Sequence, residues 1–180
     1  VRQDQLIAEA LTAPYVSADS RADAAMEMAL ARLRQLSAHE VGHTLGIDHN
    51  FAASSSGDAS VMDYPHPDLY LDESGQVRLD RAYKTGIGPW DKLTVKFGSQ
   101  EFAPGDEAAG LASILEQARQ QGIAFIADQD ARVPGSAHPG AHLWDNGIDV
   151  MQRVDELWAI RQIGLENFSG SAIPNGTPLF

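Results

Sequence analysis

No cysteine occurs among the 180 residues, so the chain can form neither a disulfide nor a thiolate metal site, and its redox compartment leaves no mark. Long apolar runs are missing too. None approaches the ~18 residues of a transmembrane helix, so membrane insertion is not expected. Positive charge is scarce, with 13 Lys and Arg against 25 Asp and Glu and a formal net charge of −12. With no basic block either, a nucleic acid or an anionic membrane surface is not an expected partner. There is no N-terminal signal sequence, and the chain opens on Val1 instead of an initiator Met, which suggests a piece cut from a longer precursor. The remaining composition, 43% hydrophobic and 21% charged, is that of a soluble globular domain large enough to bury a core.

Helical patterns dominate. Ser20 followed by Asp23 reads as an N-cap with a capping box. Beyond it Met26, Leu30, Leu33, Val41 and Leu45 recur at helical spacing, which predicts one long helix from about 21 to 45 with that stripe as its buried face. Pro89, Trp90, Leu93 and Phe97 with Gly98 behind predict a short helix. Residues 104 to 121, closed by Gly122, predict another, and about 148 to 168 a third. Strand signals are few: "IAFIA" at 123 to 127, and "QVRL" at 76 to 79 after a Glu73-Ser74-Gly75 turn.

The chain holds six histidines, and three of them fall in "SAHEVGHTLGIDHN", residues 37 to 50. On a helix, His39 and His43 lie one turn apart on one face and can reach one ion. Glu40 is offset by about 60° from His43, beside the ion without ligating it. His49 can join only if the chain turns back, and Gly46 stands where a left-handed residue would do that cheaply. Three imidazoles suit one Zn²⁺ per chain and leave a fourth position for water, as in a catalytic site. The ion would bring that water's pKa toward ~7, and Glu40 would take its proton as it attacks a carbonyl. HExxHxxGxxH arises by chance in on the order of one chain in 10⁴ to 10⁵, so coincidence is the weaker explanation.

This pattern is the metzincin signature, and Ser60-Val61-Met62-Asp63-Tyr64 resembles the S-x-M-x-Y turn of astacin-like and serralysin-like metzincins. The resemblance implies that Met62 forms an apolar floor under the histidines. It also implies that Tyr64 reaches the metal region as an outer ligand or a transition-state donor. "HEVGHTLGIDHNFAAS", "SVMDYPHP", "AYKTGIGPWDK" and "IADQDARVPGSAHPGAHLWDNG" are similar to a bacterial family of large, exported metzincin-like proteins. That likeness implies a zinc-dependent endopeptidase acting on peptide or protein, in an extracellular or periplasmic setting.

A metzincin lays its peptide along the edge of a sheet that precedes the active-site helix, and here the residues before His39 read mostly as helix. The expected fold is therefore mainly α with an α+β remnant, a metzincin-like catalytic core lacking most of its upstream sheet. An upstream segment of a longer precursor would complete the cleft. We expect a single catalytic-domain fragment over 1 to 180, with the zinc motif in 1 to 50, the Met-turn region in 51 to 100 and a helical part in 101 to 180. Asp48 and Asp63 either orient an imidazole or are solvated loop residues. His66, between two prolines, reads as a loop residue. His138, His142, Asp128, Asp130 and Asp145 form a polar cluster whose spacing fits no EF-hand calcium loop. Trp144 and Trp158 read as core. Two other functions share these residues: a catalytically silent binding module, and a zinc hydrolase of a non-peptide amide or ester.

Overall fold

The computed structural model describes residues 2 to 12 and 18 to 167. In chain order the helices are α1 (Arg2–Thr12), α2 (Ala18–Thr44), α3 (Pro89–Ser99), α4 (Glu107–Gln120), α5 (Asp128–Ala131) and α6 (Val150–Glu166). Sheet among the described residues is a single antiparallel pair, β1 (Tyr70–Leu71) and β2 (Val77–Arg78), in the register Tyr70–Arg78 and Leu71–Val77. The protein is thus mainly α, and no described helix is long and apolar enough to cross a membrane.

The chain divides into two compact units, and α2 contributes to both. One unit comprises Val1–Gln35, Pro67–Thr85 and Met151–Phe180. Its core joins Ala8, Ala25 and Met28 to Leu69, Val77, Ala82, Tyr83 and Ile160. Arg153 is buried there without being orphaned: it donates to the carbonyls of Leu69 and Pro67 and pairs with Asp68 and Glu156. In the β1–β2 turn, Asp72 Oδ1 accepts from the Ser74 and Gln76 amides at 2.9 and 3.0 Å. Those bonds to its ionised form, with the Ser74 hydroxyl foremost, hold the carboxyl below its usual range.

Leu36–His66 and Gly86–Val150 make the other unit. Here α3 and α4 pack together, and two buried clusters form. One gathers Ala53, Ala59, Val61, Met62 and Trp90; the other gathers Phe51, Ala131 and Ala141.

Several expectations change. α2 starts at Ala18, before Ser20, so Ser20 is not its cap. The stripe expected inside α2 faces outward, with Met26, Leu33, Val41 and Leu45 all exposed. Ala25, Met28, Ala29, Arg32, Gln35, His39 and Gly42 form the buried face instead. Both sets have helical spacing, and size misled: the buried face is built from small residues and paired polar ones. Arg32 donates to Gln35 and lies over the Tyr83 ring. Trp144 and Trp158 are exposed, at 58% and 59%, and are not core. Residues 123 to 127 form no strand, because their hydrogen bonds go to a side chain and a loop, as described below.

Candidate metal centre

The site begins with how α2 ends. Gly46 takes φ +80°, the left-handed region that a Cβ disfavours. The Ile47 amide donates to the Gly42 carbonyl at 3.1 Å and the Gly46 amide to the His43 carbonyl at 3.0 Å. This paired pattern is a Schellman motif, which satisfies the last helical carbonyls while reversing the chain. The reversal brings His49 back to the face that carries His39 and His43.

The Nε2 atom of His43 lies 3.1 Å from that of His39 and 3.2 Å from that of His49. Each ring turns its other nitrogen to an oxygen. His39 Nδ1 meets the Val61 carbonyl at 2.8 Å, His43 Nδ1 the Ile47 carbonyl at 2.9 Å, and His49 Nδ1 the Asp128 carboxylate at 2.7 Å. Carbonyls and carboxylates only accept, so the proton belongs on Nδ1 of every ring. Three Nε2 lone pairs then converge with no proton on any of the three rings to place between them. Repulsion among lone pairs makes that arrangement unfavourable unless a cation sits between them. The spacing suits one: four-coordinate zinc with Zn–N of about 2.0–2.1 Å separates tetrahedral nitrogens by about 3.3 Å. Among the described residues, these make the one group of three or more whose His, Cys or carboxylate ligand atoms all lie within 4.8 Å of one another. His39 is fully buried. Burial chiefly, with the charges of His43 and His49, lowers its pKa against the opposing Val61 bond and Glu40. It is therefore neutral near pH 7, the form that can ligate. The donor set fits zinc.

Met62, 1% exposed, packs against α2 at Gly42. A Cβ on Gly42 would stand 2.2 Å from its sulfur, so the position between the two helical histidines must be glycine for the floor to rise this close. The turn holding Met62 is pinned by Asp91, itself 3% exposed. Its carboxylate accepts from Ser60 Oγ at 2.5 Å, the Val61 amide at 2.9 Å and the Gly88 amide at 2.6 Å. Ser60 Oγ in turn accepts from the Met62 amide at 2.8 Å. Gly88 is packed as tightly as Gly42, since a Cβ there would meet the Ala59 carbonyl oxygen at 2.0 Å.

Tyr64 brings its hydroxyl to 3.1 Å from His49 Nε2. Trp144 stacks on the Tyr64 ring at 5.5 Å, and its amide donates to the Tyr64 carbonyl at 2.8 Å. Glu40 is exposed on α2, close enough for its charge to act on His39. Behind His49, the buried Asn50 side chain donates to the Ala124 carbonyl and accepts from the Ala52 and Ile126 amides. The Phe51 amide donates to the Ile126 carbonyl at 2.9 Å. This is why 123 to 127 needs no sheet partner.

Of the two aspartates read as orienting an imidazole or as solvated loop residues, Asp48 is exposed and Asp63 is buried; Asp128 is the one that meets a ring. Burial pushes Asp63 up to about 7, with the Asp145 charge adding to it and the Tyr64 amide opposing. The expected polar cluster does not converge. Asp145 accepts from Ser54 at 3.0 Å, while His138 and His142 bond within their own loop. His66 is a loop residue whose amide donates to the Asp145 carbonyl.

Gly42, Asn50, Asp91 and Asp128 were not recognised in the sequence as parts of this site. Gly42 alone left a signal, since glycine inside a helix costs about 1 kcal/mol relative to alanine and calls for a packing reason. Comparison with curated proteins and with solved structures gives no match. A model of the Met-zincin family matches residues 21 to 179. With that match, three converging imidazoles and a buried Met62, the chain belongs to the Met-zincin family.

Proposed function

We propose that this protein is a zinc-dependent endopeptidase in which His39, His43 and His49 hold one zinc ion per chain. What carries the reading is the convergence of three Nε2 atoms at 3.1 and 3.2 Å while every Nδ1 is engaged elsewhere. When bound, zinc would supply a Lewis acid able to polarise a carbonyl oxygen and to make a water acidic near neutral pH. Glu40 takes a proton from the attacking water and passes it to the departing amine, which needs a carboxylate beside the ion but not ligating it. The Tyr64 hydroxyl donates to the carbonyl oxygen as negative charge develops there, an interaction that strengthens toward the transition state. Met62 keeps the underside of the ligand set dry and fixed. Peptide or protein is the proposed substrate.

The test joins elemental analysis to a peptide-library digest, on the complete precursor as wild type and as Glu40→Gln, since the chain without its upstream segment is expected to hold zinc but cleave little. One zinc per chain is expected in both, with cleavage falling about 10²-fold or more in the variant. Undiminished cleavage by Glu40→Gln would remove Glu40 from its role. Zinc-loaded wild type that cleaves no peptide would favour a binding module, and cleavage of esters alone would favour a non-peptide hydrolase.

A further inference from the structure

His49 is the one proposed ligand that no helix holds, because α2 ends at Thr44. Besides the His39, His43 and Tyr64 rings, two groups touch its ring. Phe51 stacks on it at 5.2 Å and 27°, and Asp128 Oδ2 lies 2.7 Å from its Nδ1. The other two rings differ in kind. His39 and His43 turn Nδ1 to main-chain carbonyls, neutral acceptors whose positions the backbone sets. Only His49 has a charged acceptor, and only that acceptor is a side chain. It comes from 79 residues away.

Its delivery is built. Asn50 Nδ2 donates to the Ala124 carbonyl at 3.0 Å, Asn50 Oδ1 accepts from the Ile126 amide at 3.1 Å, and the Phe51 amide donates to the Ile126 carbonyl at 2.9 Å. Ala127 and Ala131, 3% and 1% exposed, anchor the chain on either side of Asp128. The residues directly after His49 therefore clasp the segment that returns a carboxylate to it.

We propose that Asp128 is a positioning residue of the metal centre. It fixes the Nδ1–H tautomer and ring orientation of His49 and strengthens Nε2 as a donor to a divalent cation. This rests on the zinc reading above and extends it, making the segment after α4 part of the site. Partners of this kind typically change metal affinity 10- to 100-fold. Because the Asp128 side chain is 64% exposed, water competes for it, and the effect belongs at the lower end, about 10-fold.

The experiment uses the 180-residue chain stripped of metal, with zinc affinity read by competition against a chromogenic chelator. The visible spectrum of bound Co²⁺ reports ligand geometry, and the melting temperature of the metal-free protein reports folding. Asp128→Ala should bind zinc about 10-fold more weakly, with an altered cobalt spectrum and a metal-free melting temperature close to wild type. Asp128→Asn keeps the volume and one acceptor oxygen but not the charge. It should fall between the two, and it decides the matter should the alanine variant not fold. Asp130→Ala, in the same short helix, should match wild type. Equal zinc affinity in wild type and the Asp128 variants, or an equal loss in Asp130→Ala, would overturn the proposal. A wild type that takes up neither zinc nor cobalt would overturn the zinc reading and this proposal with it.

Discussion

Gly42→Ala should change sign according to what occupies position 62. In an exposed helix interior, alanine is favoured over glycine by about 1 kcal/mol. Here the new methyl would lie 2.2 Å from Met62 Sδ and 3.1 Å from its Cε. The end of a methionine can swing, but Met62 is 1% exposed and packed with Ala53, Ala59, Val61 and Trp90. Moving it transfers the overlap to a closed cluster, and overpacking of that kind costs about 1–3 kcal/mol. In the wild-type background the two effects leave a net loss of about 0–2 kcal/mol. Met62→Ala alone should cost about 2–5 kcal/mol through the cavity it leaves. Once the sulfur is gone, however, adding Gly42→Ala should stabilise by about 1 kcal/mol, because only the backbone effect remains. The coupling between the two sites is then about 2 kcal/mol, or about 4–8 °C in melting temperature for a chain of this size. Urea unfolding of the four proteins in the double-mutant cycle measures it, without zinc so that ligand linkage does not contribute. An effect of Gly42→Ala that has the same sign and size in both backgrounds would refute the close approach of helix and floor.

Tyr64→Phe keeps the ring stacked under Trp144 and removes only the hydroxyl that lies 3.1 Å from His49 Nε2. We expect unchanged zinc content and kcat lower by roughly 10- to 10³-fold with little change in KM; kinetics on a cleaved peptide would check this, and an unaltered kcat would leave Tyr64 a packing residue. Asp63 makes a prediction about pH. Its folded pKa is raised to about 7, so the stability it contributes is present below its unfolded value and is lost as pH rises through about 7. Asp63→Asn, whose amide oxygen can still accept from the Tyr64 amide, should flatten that slope, so its stability relative to wild type should rise by a few kcal/mol between about pH 4 and pH 8. Parallel stability–pH curves for the two metal-free proteins would count against the buried, protonated carboxyl.

The convergence of the three histidines was legible because every step in it is local. A four-residue interval on a helix places His39 and His43 on one face, and a glycine that permits φ > 0 explains how His49 returns. The Schellman bonds at Gly46 and Ile47 are the geometry that this reasoning requires. Helix positions were legible for the same reason: α3 starts on Pro89, where a missing amide costs nothing, and α4 stops just before Gly122 at φ +67°. Local pattern failed where two helical stripes competed on α2. Periodicity offers both faces equally, and the larger apolar side chains marked the wrong one. What decides is the burial of Ala25 and Ala29 and the close approach of Gly42 to Met62, which reward small residues that hydropathy undervalues.

Other parts of the centre were illegible because they join distant loops side chain to side chain, and such bonds carry no period. Asp91 reaches Ser60 and Val61 across about thirty positions, Asp128 reaches His49 across 79, and Asn50 captures Ala124 and Ile126. These residues share a task distinct from that of the motif. The histidines and Glu40 are the groups proposed to do chemistry, and their types are set by what zinc and water require. The buried aspartate and asparagine, and the returning carboxylate, set where those groups point. Any acceptor of the right reach could fill such a place, so neither residue type nor spacing is constrained strongly enough to be recognised in one sequence. The same freedom implies that the Met-turn depends on Asp91 as much as on its own residues: with the carboxylate gone, the Val61 and Gly88 amides lose their acceptor inside a buried cluster, and the Val61 carbonyl that orients His39 moves with them.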